Sequence, residues 1–232
     1  MSISASAPWL SYYGDTPASI DYPDKTMYQL LCQTATQHPG HTAYIFQGKK
    51  TSYAQFMSRI ESAARGLTAI GIGKGDKVTI CMPNSPQALD CFYALNRIGA
   101  IPNMIHPLSA AKEIAFYLNF SKSKAVLTLD QFYEKFVHIR DNTAIRHLLI
   151  ASIRDELPML TKVGYDLTQG RKIEKIPKDA PQQICRYDVP CSIMYSTSVC
   201  ERIKASAPKT PRKKNTTALH RARKIPSSAI LF

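Results

Sequence analysis

After Gly170 the chain contains no further glycine up to its final residue, Phe232. Glycine lets successive backbone N–H groups turn toward an anion with no side chain in the way, so these residues cannot build a backbone cradle for phosphates. Long apolar runs are missing as well. Ala125 to Leu129, among the longest, has five residues, against the roughly 20 that a bilayer-spanning helix needs. Met1 to Leu10 has no basic start followed by an apolar core, so no secretory leader is expected. The six cysteines, at positions 32, 81, 91, 185, 191 and 200, include no CxxC pair. Cys81 and Cys91 fall in stretches expected to be buried. Reduced thiols in a cytoplasmic protein are therefore expected, in place of disulfides or a metal cluster. No internal repeat occurs, and no low-complexity tract precedes the last 36 residues.

Acidic residues are scarce, but unevenly so. The chain carries 30 Lys and Arg against 17 Asp and Glu, a net of +13. Residues 1–196 hold 21 basic and 16 acidic residues, a net of +5, whereas residues 197–232 hold 9 and 1, a net of +8. The excess belongs mainly to a tail with Pro208, Pro211 and Pro226 and one aromatic, Phe232. High charge with few apolar residues favours disorder, and a single-strand binding surface would interleave stacking rings with its cations. Pro211-Arg212-Lys213-Lys214 keeps nucleic-acid binding or nuclear targeting as a weak alternative.

What is present is a succession of strands and helices. Ser52 can cap a helix with Gln55 closing a capping box, and Phe56, Ile60, Ala63, Leu67 and Ile70 recur at helical spacing on one face. Gly71 suits a left-handed terminal residue, with Ile72 placed to pack back on the last turn. Val78 to Met82 reads as a buried strand. Asn84 or Ser85 caps the next helix, with Pro86 in its first turn and Leu89, Phe92, Tyr93 and Ile98 along it. Gly99 ends that helix, and Ile101 to Ile105 reads as a strand. Ser109 precedes a third helix with Glu113 near its positive end. Ala125 to Leu129 is the next strand, Asp130 opens a helix through Phe132, Phe136 and Ile139, and His147 to Ala151 is a further strand. This alternation predicts an α/β fold, a mostly parallel sheet with helices on both faces. Arg154 to Pro190, punctuated by Pro158, Pro177, Pro181 and Pro190, is expected to form short strands and loops.

Several apparent motifs have plainer readings. Gly71, Gly73 and Gly75 suggest a dinucleotide loop, but that loop follows a strand and opens a helix; here the order is reversed, so a helix-ending turn is expected. His38 and His41 flank Pro39-Gly40 without a nearby carboxylate or thiol to complete a metal site. His106, beside Pro107 at the end of a strand, lies where open α/β sheets place ligand crevices, and structural positioning is expected ahead of a substrate-channel role. Asp15, Asp21 and Asp24 belong to a solvated lead-in.

The stretches Thr51-Ser52-Tyr53, Gly71-Ile72-Gly73-Lys74-Gly75-Asp76-Lys77-Val78, Met82-Pro83-Asn84-Ser85-Pro86, Gly99-Ala100-Ile101-Pro102-Asn103 and Ser121-Lys122-Ser123-Lys124-Ala125-Val126 occur in an order that resembles the N-terminal part of the AMP-forming adenylate ligases. Among these the chain looks most like a long-chain acyl-CoA synthetase. The resemblance runs over about Thr26 to Ser196. It divides the chain into a lead-in (1–25), an incomplete N-terminal adenylation subdomain (26–196) and a divergent basic tail (197–232).

The family's activity, implied by resemblance only, joins a fatty or other carboxylic acid to AMP from ATP with Mg2+ and then transfers the acyl group to coenzyme A. Its phosphate loop would begin at Tyr195, Ser196 and Thr197, the positions that carry over as nucleotide-binding residues. The glycines that should follow are absent, and the family's later motifs have no counterpart. No catalytic or metal-binding residue is assigned, and an inactive fragment is expected. A non-catalytic partner of a full-length ligase is the remaining alternative.

Overall fold

The structure, a computed structural model, describes residues 7–168, 170, 173 and 184–187. After a single 3-10 turn at Pro8–Tyr12 come α1 (Met27–Gln37), β1 (Thr42–Phe46), β2 (Lys49–Ser52), α2 (Tyr53–Ala69), β3 (Lys77–Cys81) and α3 (Pro86–Arg97). Then follow β4 (Ile101–Met104), α4 (Ala111–Ser121), β5 (Ala125–Leu129), α5 (Tyr133–Arg140), β6 (His147–Ala151), α6 (Met159–Thr168) and β7 (Ile184–Arg186). Strands β4-β3-β5-β6-β7 form one sheet in that order, every neighbouring pair parallel. The expected α/β class and parallel sheet are what the chain adopts. β1 and β2 form a separate antiparallel hairpin across Gln47-Gly48, both at positive φ, the two-residue turn whose twist matches that of the strands.

Residue alternation along the strands distributes two cores. Val78, Ile80, Ala125, Leu127, Leu129, Leu149 and Ala151 pack with α2 and α3, while Cys81, Val126, Leu148 and Ile150 pack on the other face with Ile114 and Leu118 of α4 and Phe136 and Ile139 of α5. Each fully buried aliphatic side chain contributes roughly 1.5–3 kcal/mol, so the sandwich of helices over both faces is the main source of stability.

The helix ends are set locally. Ser52 and Gln55 form the expected capping box, and Thr26 with Gln29 forms another at α1. Gly71 (φ 82°) ends α2 with Gly71 N–H donating to Thr68 and Ile72 N–H to Leu67, a Schellman closure. Gly99 closes α3 the same way. At α4 the left-handed position falls on Lys122, φ 54°, with Ser123 N–H donating to Leu118.

Some expectations shift. β3 begins at Lys77 and ends at Cys81, one residue earlier than expected at each end, and β4 ends at Met104, although Ile105 N–H still donates to Ile80. Ser85, not Asn84, caps α3, accepting from Ala88 N–H. Leu89 does not line the core: it is 41% exposed, and the buried face runs through Ala88, Cys91 and Leu95, with Gln87 and Asp90 buried beside them. Ser109 precedes α4 as expected, with Ala110 in the cap position and no side-chain bond there. Asp130 opens a 3-10 turn before α5. Arg154 to Pro190, expected to form short strands and loops, contains the short strand β7 but also helix α6, after a 3-10 turn at Ile153–Glu156.

Candidate functional site

In a parallel sheet the strand-to-helix loops all leave from the carboxyl ends of the strands, which is where open α/β folds hold ligands. Here that edge gathers Met82 to Ser85 after β3, Ile105 to Ala110 after β4, Asp130–Phe132 after β5, Ser152 to Glu156 after β6, and Tyr187 after β7. Lys135 of α5 clamps the second of these loops, donating to the carbonyls of Pro107 (3.1 Å) and Ser109 (2.9 Å). His106 accepts from Leu108 N–H through Nδ1, and its carbonyl accepts from the Cys81 thiol. The imidazole is exposed and shapes its own turn, the positioning role expected of it. Burial pushes the Cys81 thiol up to about 11, against the pull of Lys135, so this sulfur is not a nucleophile at neutral pH.

Beneath the edge lies a buried polar cluster. Arg59 of α2 donates through Nε and Nη2 to Asp90 Oδ2 (2.9 and 2.6 Å), and Nη2 also reaches Glu156 Oε1. Gln87 Nε2 donates to the Ser152 carbonyl at 2.9 Å. Burial pushes the Asp90 carboxyl up to about 6 despite Arg59, and Glu156 adds to the rise. Burial alone would lower Arg59, but its two carboxylates outweigh that and hold it charged. Tyr187 N–H donates to the Ile150 carbonyl at 2.7 Å, and its phenol is buried and raised by that burial. The Arg59–Asp90–Glu156 group has no sequence signal, because its members come from three separate elements and Arg59 and Asp90 stand among several other polar residues on α2 and α3.

The predicted nucleotide-binding residues Tyr195, Ser196 and Thr197 lie outside the described residues, as does the basic tail. Of residues 187–196 only Tyr187 is described, directly after β7. The glycine turn at Gly71 to Gly75 stands at the amino end of β3, away from this edge. Gly73 N–H donates to Asp76 Oδ2, which Lys124 also holds at 2.8 Å. A carboxylate already occupies the amide, so the turn is no phosphate cradle. Asp15, Asp21 and Asp24 are exposed, as expected of a lead-in. His38 and His41 stack with ring centroids 4.9 Å apart, and among the described residues no group of three or more His, Cys, Asp or Glu could hold a metal ion. Among the described residues the glycine turn at Gly71 to Gly75 thus offers no anion cradle. No helix among them is long and apolar enough to cross a membrane.

Comparison with known proteins adds to this geometry. Residues 31–198 match the family described as AMP-binding enzyme. A long-chain-fatty-acid–CoA ligase of Bacillus subtilis is 30% identical over 167 residues, covering 72% of this chain and 30% of the relative. One from Salmonella typhimurium is 24% identical over 195 residues, 82% of this chain and 33% of the relative. The chain therefore spans about a third of the length of the curated relatives it matches. Among solved structures, a coronafacic acid ligase from Pectobacterium brasiliense aligns with TM-score 0.58 at 21% identity, covering 75% of this chain and 30% of that one. A long-chain-fatty-acid-CoA ligase from Archaeoglobus fulgidus aligns with TM-score 0.55 at 22% identity, covering 73% and 35%. These two show a shared fold. The names of all four give the nucleic-acid alternative no support.

Proposed function

From the premise that this chain belongs to the AMP-binding enzyme family, we propose that it supplies the N-terminal, sheet-forming part of an acid–thiol ligase and does not form acyl-adenylates by itself. The ligase reaction, by analogy with the relatives, would convert a fatty acid, ATP and coenzyme A into acyl-CoA, AMP and pyrophosphate. One observation carries the claim of inactivity: the family match runs to residue 198, and no glycine occurs in this chain beyond residue 170. Charge develops on the transferring phosphoryl group, and stabilising it requires preorganised N–H donors, a lysine and a metal close to phosphorus. Side chains at every position after Gly170 obstruct the first of these requirements.

The test is ATP–pyrophosphate exchange by the purified 232-residue chain with acetate, medium-chain and long-chain fatty acids. Exchange at the background of a protein-free control is expected; turnover with any of these acids overturns the reading. We further propose that residues 26–196 form the folded unit, with 1–25 a lead-in and 197–232 a separate basic tail. Limited trypsin digestion should remove the lysine- and arginine-rich tail early and leave a resistant core. Cleavage first within α2 to β6 would contradict that division.

A further inference from the structure

One guanidinium serves two buried carboxylates. Asp90 and Glu156 are 0% and 3% exposed, and both hydrogen-bond Arg59. The next cation, Lys49, stands 3.8 Å from Glu156 Oε2 with its side chain 45% exposed. With both acids ionised, the buried group carries a net charge of −1 whose further compensation among the described residues is this solvated amine, an unfavourable arrangement in a low-dielectric interior. Four buried side-chain oxygens are unpaired among the described residues, the phenols of Tyr44 and Tyr187 together with two acceptors on α3. Asp90 Oδ1 and Gln87 Oε1 are buried and accept from no donor among the described residues. They sit three residues apart on α3, a spacing that brings side chains together, and the Gln87 amide is oriented by its Nε2 bond to Ser152. Neither phenol is bonded to these two acceptors, and one proton shared between Asp90 Oδ1 and Gln87 Oε1 satisfies both.

We propose that Asp90 carries a proton on Oδ1, directed at Gln87 Oε1, and that this proton latches the arm Ser152–Thr168 onto α2 and α3. Both anchors of the arm adjoin it: Gln87 holds the Ser152 carbonyl, and Arg59 holds Glu156. When the proton leaves, Asp90 competes with Glu156 for Arg59 and repels it, so the arm loosens. The other groups facing Asp90 do not supply the missing charge. Tyr44 from β1 and Tyr187 after β7 are phenols raised by burial, and Cys91 on the same helix is a thiol raised by burial. The upward displacement of Asp90 noted above agrees with the geometry.

The test follows the Asp90 side-chain carboxyl carbon by NMR against pH in the full chain, with amide hydrogen exchange of residues 153–168 read at each pH and corrected for intrinsic rate. The carboxyl should titrate near 6. A raised carboxyl favours the folded state fully below its unfolded value and loses that contribution as pH rises through its folded value. Between about pH 4 and pH 7 the folding equilibrium constant should therefore fall about 10²-fold through this group, and arm protection should fall with it. Asp90→Asn keeps an acceptor for Arg59 and presents a permanent N–H to Gln87. It should abolish that pH dependence and hold the arm as tightly at pH 7 as the unsubstituted chain does at pH 5. The difference between the two chains removes the opposing contribution of His147, which burial lowers. A carboxyl titrating below about 4, or an arm less protected in Asp90→Asn than in the unsubstituted chain at pH 7, overturns the latch. If the variant does not fold, the titration of the unsubstituted chain decides alone.

Discussion

The body from Tyr53 to Ala151 and the arm from Ser152 to Thr168 are adjacent in sequence but are held by different forces. In the body, each helix buries one face on a strand layer, so non-directional burial provides the stability and backbone caps provide the ends. In the arm, α6 buries no residue: Met159 and Leu160 are 86% and 90% exposed. Its bonds to the body are polar, through Glu156 to Arg59 and Ser152 to Gln87, with the partly buried Ile153 packed on the core beside them; the two bonds from Arg154 to Asp166 tie the arm to itself. Burial tolerates small adjustments, whereas a few directional bonds fail one at a time. The body should therefore unfold as a cooperative unit and the arm should respond to charge.

Five substitutions sharpen or break that contrast. Arg59→Met should have the largest effect, about 3–5 kcal/mol in urea denaturation, since it strands two buried carboxylates. Hydrogen exchange should show the arm released before the body. Leu127→Ala, in the middle of β5, should cost about 3 kcal/mol, while Leu160→Ala on α6 should stay within about 0.5 kcal/mol; equal losses would mean the arm is packed as the body is. Gly99→Ala should cost about 1–2 kcal/mol, because Gly99 sits at φ 72° and a Cβ there would lie 3.1 Å from Lys74 Cγ. The smallest effect is a gain. Lys122→Gly should stabilise by about 0.5 kcal/mol by relieving a left-handed lysine, read as a rise in thermal midpoint.

The readable parts of the sequence were those where cause and effect lie within one turn or one strand. Ser52 with Gln55, Gly71 with Ile72, and the alternation in Ala125 to Leu129 each state their structure locally. The Gln47-Gly48 hairpin has a local signal too, a glycine between Tyr44-Ile45-Phe46 and Lys49, but a weaker one than the helical patterns on either side of it. Helix α6 was hidden by the prolines around it, although Met159, Val163 and Leu167 already recur every four residues. On α3, Leu89 looks more apolar than Asp90, yet the inward face runs through Ala88, Cys91 and Leu95 with Asp90 buried beside them, held by Arg59, 31 positions away. Of the candidate site, the glycine-poor stretch after Gly170 was legible as a composition, whereas Tyr195, Ser196 and Thr197 lie outside the described residues.

Strand and helix order, the parallel sheet and the family likeness follow from the amino-acid order alone, because capping, turn geometry and alternation act over a few residues and need no distant partner. Which polar groups are buried, that one guanidinium must answer to two acids, and that two oxygens on α3 lack a donor were decided only when α2, α3 and the segment after β6 came together. Desolvation depends on what surrounds a group in space, and neighbours 31 and 97 positions away along the chain leave no local mark.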